Sequence, residues 1–347
     1  MEIINEAEYR KRLKTGVQGA YVFFGAEDYL KAYAINATRA AVCPDEAFAV
    51  FNDITLDALD FSADKLLDAM TPPPMMADER LIVIRGLDPC SMKAAELDAL
   101  IEALALLPEY DYNTVLWHVA AGLIDERTLQ KKTPAVLKKL FEVATPVQFP
   151  ASTDGRLAAW AGKHFAHLGV SVSPADCAFL VDFAGKSMYL LANEIEKIAY
   201  YVLSKGRTAA TAEDIRLVAV PSMEMDTFAL SNAILEGRTE RALEALAVLK
   251  FERKDPLLIM GELSRTLCDM QAVRLYTDAG KSVKEIAKLL GGMHEYKAGL
   301  YHTAAKKCGV ASLKRALSLC QEADSTLKSG NAAYVGIEAL IAAFSKG

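Results

Sequence analysis

Four short apolar segments in the first 150 residues have the composition of buried β-strands. Each is rich in β-branched and aromatic residues and has glycine, proline or asparagine at an end. The segments are GAYVFFG at 19–25, ERLIVIRG at 79–86, NTVLWHVA at 113–120 and TPVQFP at 145–150. Stretches between them, such as EDYLKAYAINATRAAV and MKAAELDALIEALALL, place an apolar residue about every three to four positions, as amphipathic helices do. This alternation predicts a parallel sheet covered by helices over residues 1–150.

The pattern changes after residue 150, where helical periodicity replaces the strand-like segments. Three helices are predicted over DGRLAAWAGKHFAHLG, SPADCAFLVDFAG and SMYLLANEIEKIAYYVLS. Ser173 is expected to cap the second with Pro174 in its first turn, and Thr211 to cap a short helix after the third. The third helix places one apolar stripe inward: Leu191, Ile195, Ile198 and Val202. Residues 151–210 are therefore predicted to form a small three-helix domain without strands.

Residues 211–347 are predicted to be helical throughout and to form a third, all-α domain. Helix breaks are expected at Gly237, at the KDP sequence of 254–256, at Gly280, at GGMHE of 291–295 and at Gly309. No internal repeat of solenoid length occurs.

Composition and charge restrict the class of protein. A chain of 347 residues is longer than one hydrophobic core usually supports, so more than one domain is expected. The composition, 52% hydrophobic and 24% charged residues, is typical of a globular protein. Residues 1–142 carry 15 basic and 23 acidic residues, which disfavours strong autonomous binding to nucleic acid. The first residues do not resemble a signal peptide, and no apolar run reaches the roughly 18 residues of a membrane span. We expect a cytoplasmic protein with no membrane contact.

The sequence lacks the motifs of the common catalytic sites. Where a phosphate-binding loop would follow the first predicted strand, FFGAEDYLKAY carries Glu27 and Asp28, which would repel phosphate at the start of that helix. His164 and His167 have a spacing that a metal could use, but a third ligand is not near them in sequence, so they are interpreted as two residues of a helix face. We expect no enzymatic activity, no cofactor and no metal.

The sequence AMTPPPMMADERL raises a specific question, because a turn has no general reason to be apolar. Met75 and Met76 follow three consecutive prolines, and Met70 lies one helical turn before them. One interpretation is a pair of core methionines that anchor the start of the next strand. The other is an exposed pair that binds another protein, since methionine adapts well to binding surfaces. Rigid prolines would lower the conformational entropy lost when such a pair binds.

Several segments, in order along nearly the whole chain, resemble one family: the delta subunit of the bacterial DNA polymerase III clamp loader. They include YVFFGAEDYLKAYAI, MMADERLIVIRGLD, NTVLWHVAAGLIDERTLQKKTPAVLKKLFEVATPVQFP, GKSMYLLANEIEKIAYY, MDTFALSNAILEGRTERAL and KDPLLIMGELSRTL. The resemblance implies an AAA+-like α/β domain over 1–150 without a functional P-loop, a helical lid over 151–210 and a helical collar over 211–347. It also implies a subunit that does not hydrolyse ATP itself and belongs to a DNA-directed DNA polymerase holoenzyme.

The resemblance further implies a role in DNA replication, in which the subunit binds and opens the ring-shaped sliding clamp. The clamp-binding positions carried over are Met75 and Met76, with Pro73 and Pro74 before them and Met70 as a further candidate. Many relatives have aromatic or Leu-Phe pairs here, so Met-Met with an additional proline departs from their pattern. The partners implied are the sliding clamp, the ATPase and delta-prime subunits through the collar, and primer-template DNA through the assembled complex.

Two other functions remain open at this stage. One is a degenerate AAA+ protein that still binds nucleotide, and the other is a passive scaffold of the loader. A delta-prime subunit is disfavoured because its zinc-binding cysteine cluster and Ser-Arg-Cys motif are absent. Four lysines could contact DNA or a neighbouring subunit, although a solvated helix face is the favoured interpretation: Lys131, Lys132, Lys138 and Lys139.

Overall fold

The computed structural model describes residues 3–124, 129, 133–291, 293, 295–329 and 334–345. The chain divides into two compact units, Met1–Ser152 and Thr153–Gly347. The first unit includes the residues predicted as the α/β domain, and the second includes those predicted as two helical domains. The boundary between a lid and a collar within the second unit stays a prediction.

The first unit is built on a six-stranded sheet in which every neighbouring pair is parallel. The strand order is β1-β6-β2-β5-β4-β3. The strands are β1 (Ile4–Asn5), β2 (Gly19–Phe24), β3 (Asp53–Asp57), β4 (Arg80–Arg85), β5 (Asn113–His118) and β6 (Thr145–Gln148). The four predicted strands are confirmed as β2, β4, β5 and β6. The other two lie at the edges of the sheet, where the sequence pattern is weakest.

Six described helices accompany this sheet. They are α1 (Glu6–Thr15), α2 (Asp28–Val42), α3 (Glu46–Asn52), α4 (Ala63–Met70), α5 (Ala94–Ala105) and α6 (Ala135–Val143). The middle strands are buried on both faces, as residues 81–84 of β4 show by having no exposed surface. Helices therefore cover both sides of the sheet, which explains why the central strands are continuously apolar.

Strand register aligns the amino ends of three neighbouring strands. Arg80 of β4 is opposite Asn113 of β5, and Asp53 of β3 is opposite Leu81. Asn52, the residue before β3, is therefore level with Arg80 and Asn113 along the strands. These three polar residues are buried in one row at the amino edge of the sheet.

The second unit is almost entirely helical. Its described helices are α7 (Asp154–His167), α8 (Pro174–Ala184), α9 (Met188–Ser204), α10 (Ala212–Val218), α11 (Met223–Leu235), α12 (Thr239–Phe251), α13 (Pro256–Asp278), α14 (Val283–Leu289), α15 (Glu295–Lys307), α16 (Val310–Ser329) and α17 (Val335–Ser345). The expected absence of strands after residue 150 is wrong in one detail. Ser171–Val172 and Ala209–Ala210 pair as a two-residue parallel ladder, too short to produce a periodic sequence pattern.

Local signals within this unit agree with the structure. The Ser173 hydroxyl accepts a hydrogen bond from the Asp176 amide at 3.0 Å, and Pro174 begins α8. The predicted stripe of α9 is fully buried at Leu191, Ile195, Ile198 and Val202. Residues between 230 and 341 contribute a large apolar core of their own. Among the described helices, not one has the length and apolar character needed to cross a bilayer.

Candidate functional site

The apolar turn of the sequence is an exposed loop between α4 and β4, at the amino edge of the sheet. Met75 is 48% exposed and Met76 is 77% exposed. The interpretation of these two methionines as a core pair is therefore wrong. Pro73 is exposed and Pro74 is half-buried, so the prolines also lie at the surface.

Arg80 holds the first half of this loop. Its side chain is buried, with the residue only 4% exposed, and its guanidinium donates to the carbonyl oxygens of Ala69 at 2.7 Å and Pro73 at 3.0 Å. A third hydrogen bond reaches the carbonyl of Pro72. Burial lowers the pKa of Arg80, but arginine is charged in proteins at all ordinary pH values. One buried cation therefore fixes three carbonyl groups, as the forked guanidinium geometry allows.

Asn113, the first residue of β5, and Tyr112 just before it hold the carbonyls of Met70 and Thr71. The Asn113 side-chain amide donates to the carbonyl oxygen of Met70 at 3.1 Å. The Tyr112 hydroxyl donates to the carbonyl oxygen of Thr71 at 2.8 Å. Together with Arg80, these residues bind every main-chain carbonyl from Ala69 to Pro73.

Asn52 holds the tip of the loop through both main-chain groups of Met75. Its Nδ2 donates to the carbonyl oxygen of Met75 at 2.8 Å, and the amide of Met75 donates to Oδ1 of Asn52 at 2.8 Å. Asn52 is 1% exposed, so the two hydrogen bonds are anchored in the protein interior. The main chain is thus fixed while the two methionine side chains stay at the surface.

Met70 does not lie with the exposed methionines. It is the last residue of α4 and has no exposed surface, and it belongs to the same apolar core as Leu66 and Ala69. The helical period explains this, because residues 66, 69 and 70 share the face that α4 turns to the sheet. The inclusion of Met70 among the clamp-binding residues is therefore corrected: its side chain is part of the core.

Met76 has an unusual backbone conformation for its residue type. Its φ angle of +53° lies in the left-handed region, which disfavours residues with a Cβ atom. The residue directly follows the two hydrogen bonds to Asn52, which fix the preceding peptide groups. Residues held in such sparsely populated backbone conformations cluster at functional sites, although single ones also occur in turns.

The opposite, carboxyl edge of the sheet is where α/β proteins generally bind ligands. Here the buried Lys31 donates to the carbonyl oxygens of Gly25 at 2.8 Å and Val119 at 2.6 Å. It also pairs with Asp28 at 2.7 Å, and Asp28 accepts from the amide of Ala121. The charged side chains of Asp28 and Lys31 therefore occupy the start of α2. The Lys31 ammonium group is bound by main-chain carbonyls.

Two titratable groups beside this lysine have shifted pKa values. Burial, assisted by the nearby Lys31, lowers the pKa of His118. Burial raises the pKa of Glu27. Both directions are those expected for groups that lose their contact with water.

The remaining candidate residues lie away from the loop. Lys138 and Lys139 are exposed on α6, and Lys139 forms an ion pair with Asp98 at 2.8 Å. Lys131 and Lys132 lie outside the described residues.

His164 and His167 lie at the end of α7, and the His164 ring packs against Trp160 with ring centroids 5.1 Å apart. Within the described ranges, no three potential ligands are grouped for a metal.

Sequence reasoning identified the loop but missed the residues that hold it. The signal was present in the polar residues that begin otherwise apolar strands, Arg80 before LIVI and Asn113 before TVLW. A buried polar residue at that position needs a partner, and the main chain of a neighbouring loop is the nearest source of acceptors.

Comparison with known proteins identifies the family that this chain resembles. Residues 224–344 match the family model described as DNA polymerase III delta subunit, C-terminal domain. Over this region the chain is similar to the C-terminal domain of DNA polymerase III delta subunits. A delta-family relative, DNA polymerase III subunit delta of Bacillus subtilis (strain 168), is 22% identical over 339 residues, which cover 92% of this chain and 91% of the relative.

One solved structure of the delta family also matches over the full length. It is the Bacillus subtilis DNA clamp loader delta protein, with a TM-score of 0.54, 19% identity and coverage of 99% of this chain and 100% of that one. At this identity the likeness shows the fold alone. It confirms the expected fold class, an α/β domain with a parallel sheet followed by helical parts.

Proposed function

We propose that this protein is the subunit of the DNA polymerase III clamp loader that binds and opens the sliding clamp. The observation that carries the proposal is an exposed Met75-Met76 pair on a loop whose main chain is fixed from the interior. Similarity to the delta family supports a clamp-loader role, and the Bacillus subtilis protein of similar fold is itself named a clamp loader delta protein.

The physical basis is binding by a preorganised apolar surface. Fixing the carbonyls from Ala69 to Pro73, and both main-chain groups of Met75, removes most of the ordering entropy that a free loop would lose on binding. Each methionine that becomes buried in a pocket of the clamp contributes about 1.5–3 kcal/mol. The pair therefore contributes about 3–6 kcal/mol, a substantial part of the free energy of binding to the clamp.

Opening the clamp requires a preference for its open form. A ligand shifts a two-state equilibrium only by the difference between its affinities for the two states. A hundredfold shift corresponds to roughly 2.7 kcal/mol, which one or two buried side chains supply if their pocket fits better in the open ring. On this proposal, the subunit opens the clamp by selective binding and needs no chemical step.

We expect ATP to act through the neighbouring ATPase subunits, and no enzymatic activity or cofactor in this chain. Lys31 and Asp28 satisfy each other at the start of α2, which supports a nucleotide-independent first unit. The helical region of 224–344 would join the other loader subunits, including delta-prime. Lys138 and the other basic residues would face DNA or a neighbouring subunit in the assembled complex. A replisome component of this kind would act in the cytoplasm.

Direct binding to the sliding clamp encoded in the same genome tests the proposal. The variant M75S/M76S should keep the fold and weaken binding at least a hundredfold in surface plasmon resonance. Leu59→Ser is the matched control, because Leu59 is a fully exposed aliphatic residue of the same unit after β3. Equal affinities of M75S/M76S and the wild type would overturn the role of the loop. Failure of the wild type to bind the clamp would favour a passive scaffold, and ATP binding by the isolated chain would favour a degenerate nucleotide-binding protein.

A further inference from the structure

The short helix α3 has a second exposed apolar pair beside the loop. Val50 is 79% exposed and Phe51 is 47% exposed, although both are large apolar residues. Phe48 and Ala49 are half-buried and Asn52 is buried, so the helix turns these three residues inward. The helical period then directs Val50 and Phe51 outward.

Hydrogen bonds connect this helix directly to the methionine loop. Asn52 is the last residue of α3, and its side chain holds Met75 through two hydrogen bonds of 2.8 Å each. The last turn of α3 therefore lies within one side-chain length of the main chain of Met75. Val50 and Phe51 immediately precede Asn52 in the chain, so their part of α3 is close to the loop.

Val50 and Phe51 leave much of their apolar surface exposed, in contrast to the neighbouring residues of the helix. Phe48 and Ala49 are half-buried and Asn52 is buried. Adjacent exposed apolar residues form a patch of the kind that marks protein-binding surfaces.

We propose that Val50, Phe51, Met75 and Met76 form one apolar docking surface, and that the sliding clamp covers all four residues. This inference rests on the proposed function, because its occupant is the protein that the methionine loop binds. The continuity of α3 with the loop selects that occupant: the two elements are joined through Asn52, so the same partner meets both. The surface then has two structural elements, a helix end and a fixed loop.

A photo-crosslinking experiment on the full chain tests for direct contact. Phe51 is replaced by p-benzoylphenylalanine, and the protein is irradiated together with the sliding clamp from the same genome. We expect a covalent adduct with the clamp from position 51. The same replacement at Leu59, after the carboxyl end of β3, is expected to give none. An adduct from Leu59 that equals the one from position 51 would show that proximity is not specific and would overturn the inference.

Affinity measurements provide a second test. The variant V50S/F51S should weaken clamp binding about tenfold to a hundredfold, as for residues at the centre of an interface. Leu59→Ser should change it less than twofold. Amide hydrogen exchange at Met75 should be the same in V50S/F51S and the wild type, which excludes an indirect effect through Asn52.

The two proposals fail in different ways. If M75S/M76S abolishes binding while V50S/F51S binds within twofold of the wild type, the α3 contact is refuted and the proposed function stands. If the wild type itself does not bind the clamp, the proposed function and the inference are both refuted. Faster exchange at Met75 in V50S/F51S would also refute the contact, since the loss of affinity would then come from the loop.

Discussion

Asn52 and Met75 are joined by two hydrogen bonds of 2.8 Å, one in each direction between the side-chain amide and the main chain. The asparagine is buried and the methionine is about half exposed. Because Asn52 is fixed at the edge of the sheet, this pairing also fixes the main chain at the tip of the loop. It allows an exposed apolar residue to have a defined position without being packed in the core.

We predict that Asn52→Ala loosens the loop with little effect on the rest of the fold. Two hydrogen bonds are lost, and each contributes about 0.5–1.5 kcal/mol to stability. Amide exchange at Met75 should become faster, and clamp affinity should fall about tenfold because a mobile loop loses more entropy on binding. Asn36→Ala is the control: this exposed asparagine accepts a hydrogen bond from Arg39 at 2.6 Å and lies away from the loop on α2. Unchanged exchange at Met75 in Asn52→Ala would contradict the prediction.

We predict that Met76→Asn separates folding from binding. The residue has a φ of +53°, which asparagine tolerates better than methionine does. The free energy of unfolding in urea should therefore stay the same or rise by up to about 1 kcal/mol. Clamp binding should nevertheless weaken, because the exposed thioether side chain is lost. A variant that binds as tightly as the wild type would show that the Met76 side chain makes no contact with the clamp.

We predict that Gly25→Ala strongly destabilises the first unit. A Cβ atom at Gly25 would lie 2.3 Å from the carbonyl oxygen of Phe149, which also accepts a hydrogen bond from the Glu27 amide. Overpacking against fixed main chain and the positive φ together should cost about 2–4 kcal/mol. Gly16→Ala is a matched control, since Gly16 has a similar φ of +105° and open space around it. It should cost only about 1 kcal/mol in the same urea titration. Equal losses for the two variants would show that the contact with Phe149 is unimportant.

We predict that Asp226→Asn stabilises the second unit above pH 6. Burial, with Glu252 nearby, raises the pKa of Asp226 to about 6, and its buried Oδ2 has no hydrogen-bond partner among the described residues. The folded state then holds this proton up to about pH 6, whereas the unfolded state releases it near the ordinary value of about 3.9. Stability therefore falls as the pH rises between these two values, and the destabilisation is complete above the higher one.

Thermal unfolding of both proteins at pH 5 and pH 8 measures this effect. The gain in Tm from Asp226→Asn should be larger at pH 8, where the wild-type carboxylate is charged, and smaller at pH 5, where it is largely protonated. Asp324→Asn serves as the control, because this residue lies in an ion pair with Lys328 near the surface of α16. A gain of equal size at both pH values would contradict a buried charge at Asp226.

The sequence by itself determined the class of the first unit and most of its elements. Continuous apolar runs predicted β2, β4, β5 and β6, because strands buried on both faces must be apolar at every position. The edge strand β3, DITLD, escaped prediction because it alternates polar residues, has acidic ends and becomes a strand through its pairing with β4. Helix caps such as Ser173 could be predicted from the sequence because the capping hydrogen bond joins residues only three positions apart.

Only the tertiary structure decided which methionines are exposed. Met70 and Met76 have the same side chain and lie six positions apart, yet the end of α4 buries the first and the fixed loop exposes the second. The residues that impose this difference, Asn52, Arg80 and Asn113, come from three separate segments of the chain. They meet because parallel pairing aligns the amino ends of β3, β4 and β5. Local sequence does not determine this register, since it depends on pairing between distant segments.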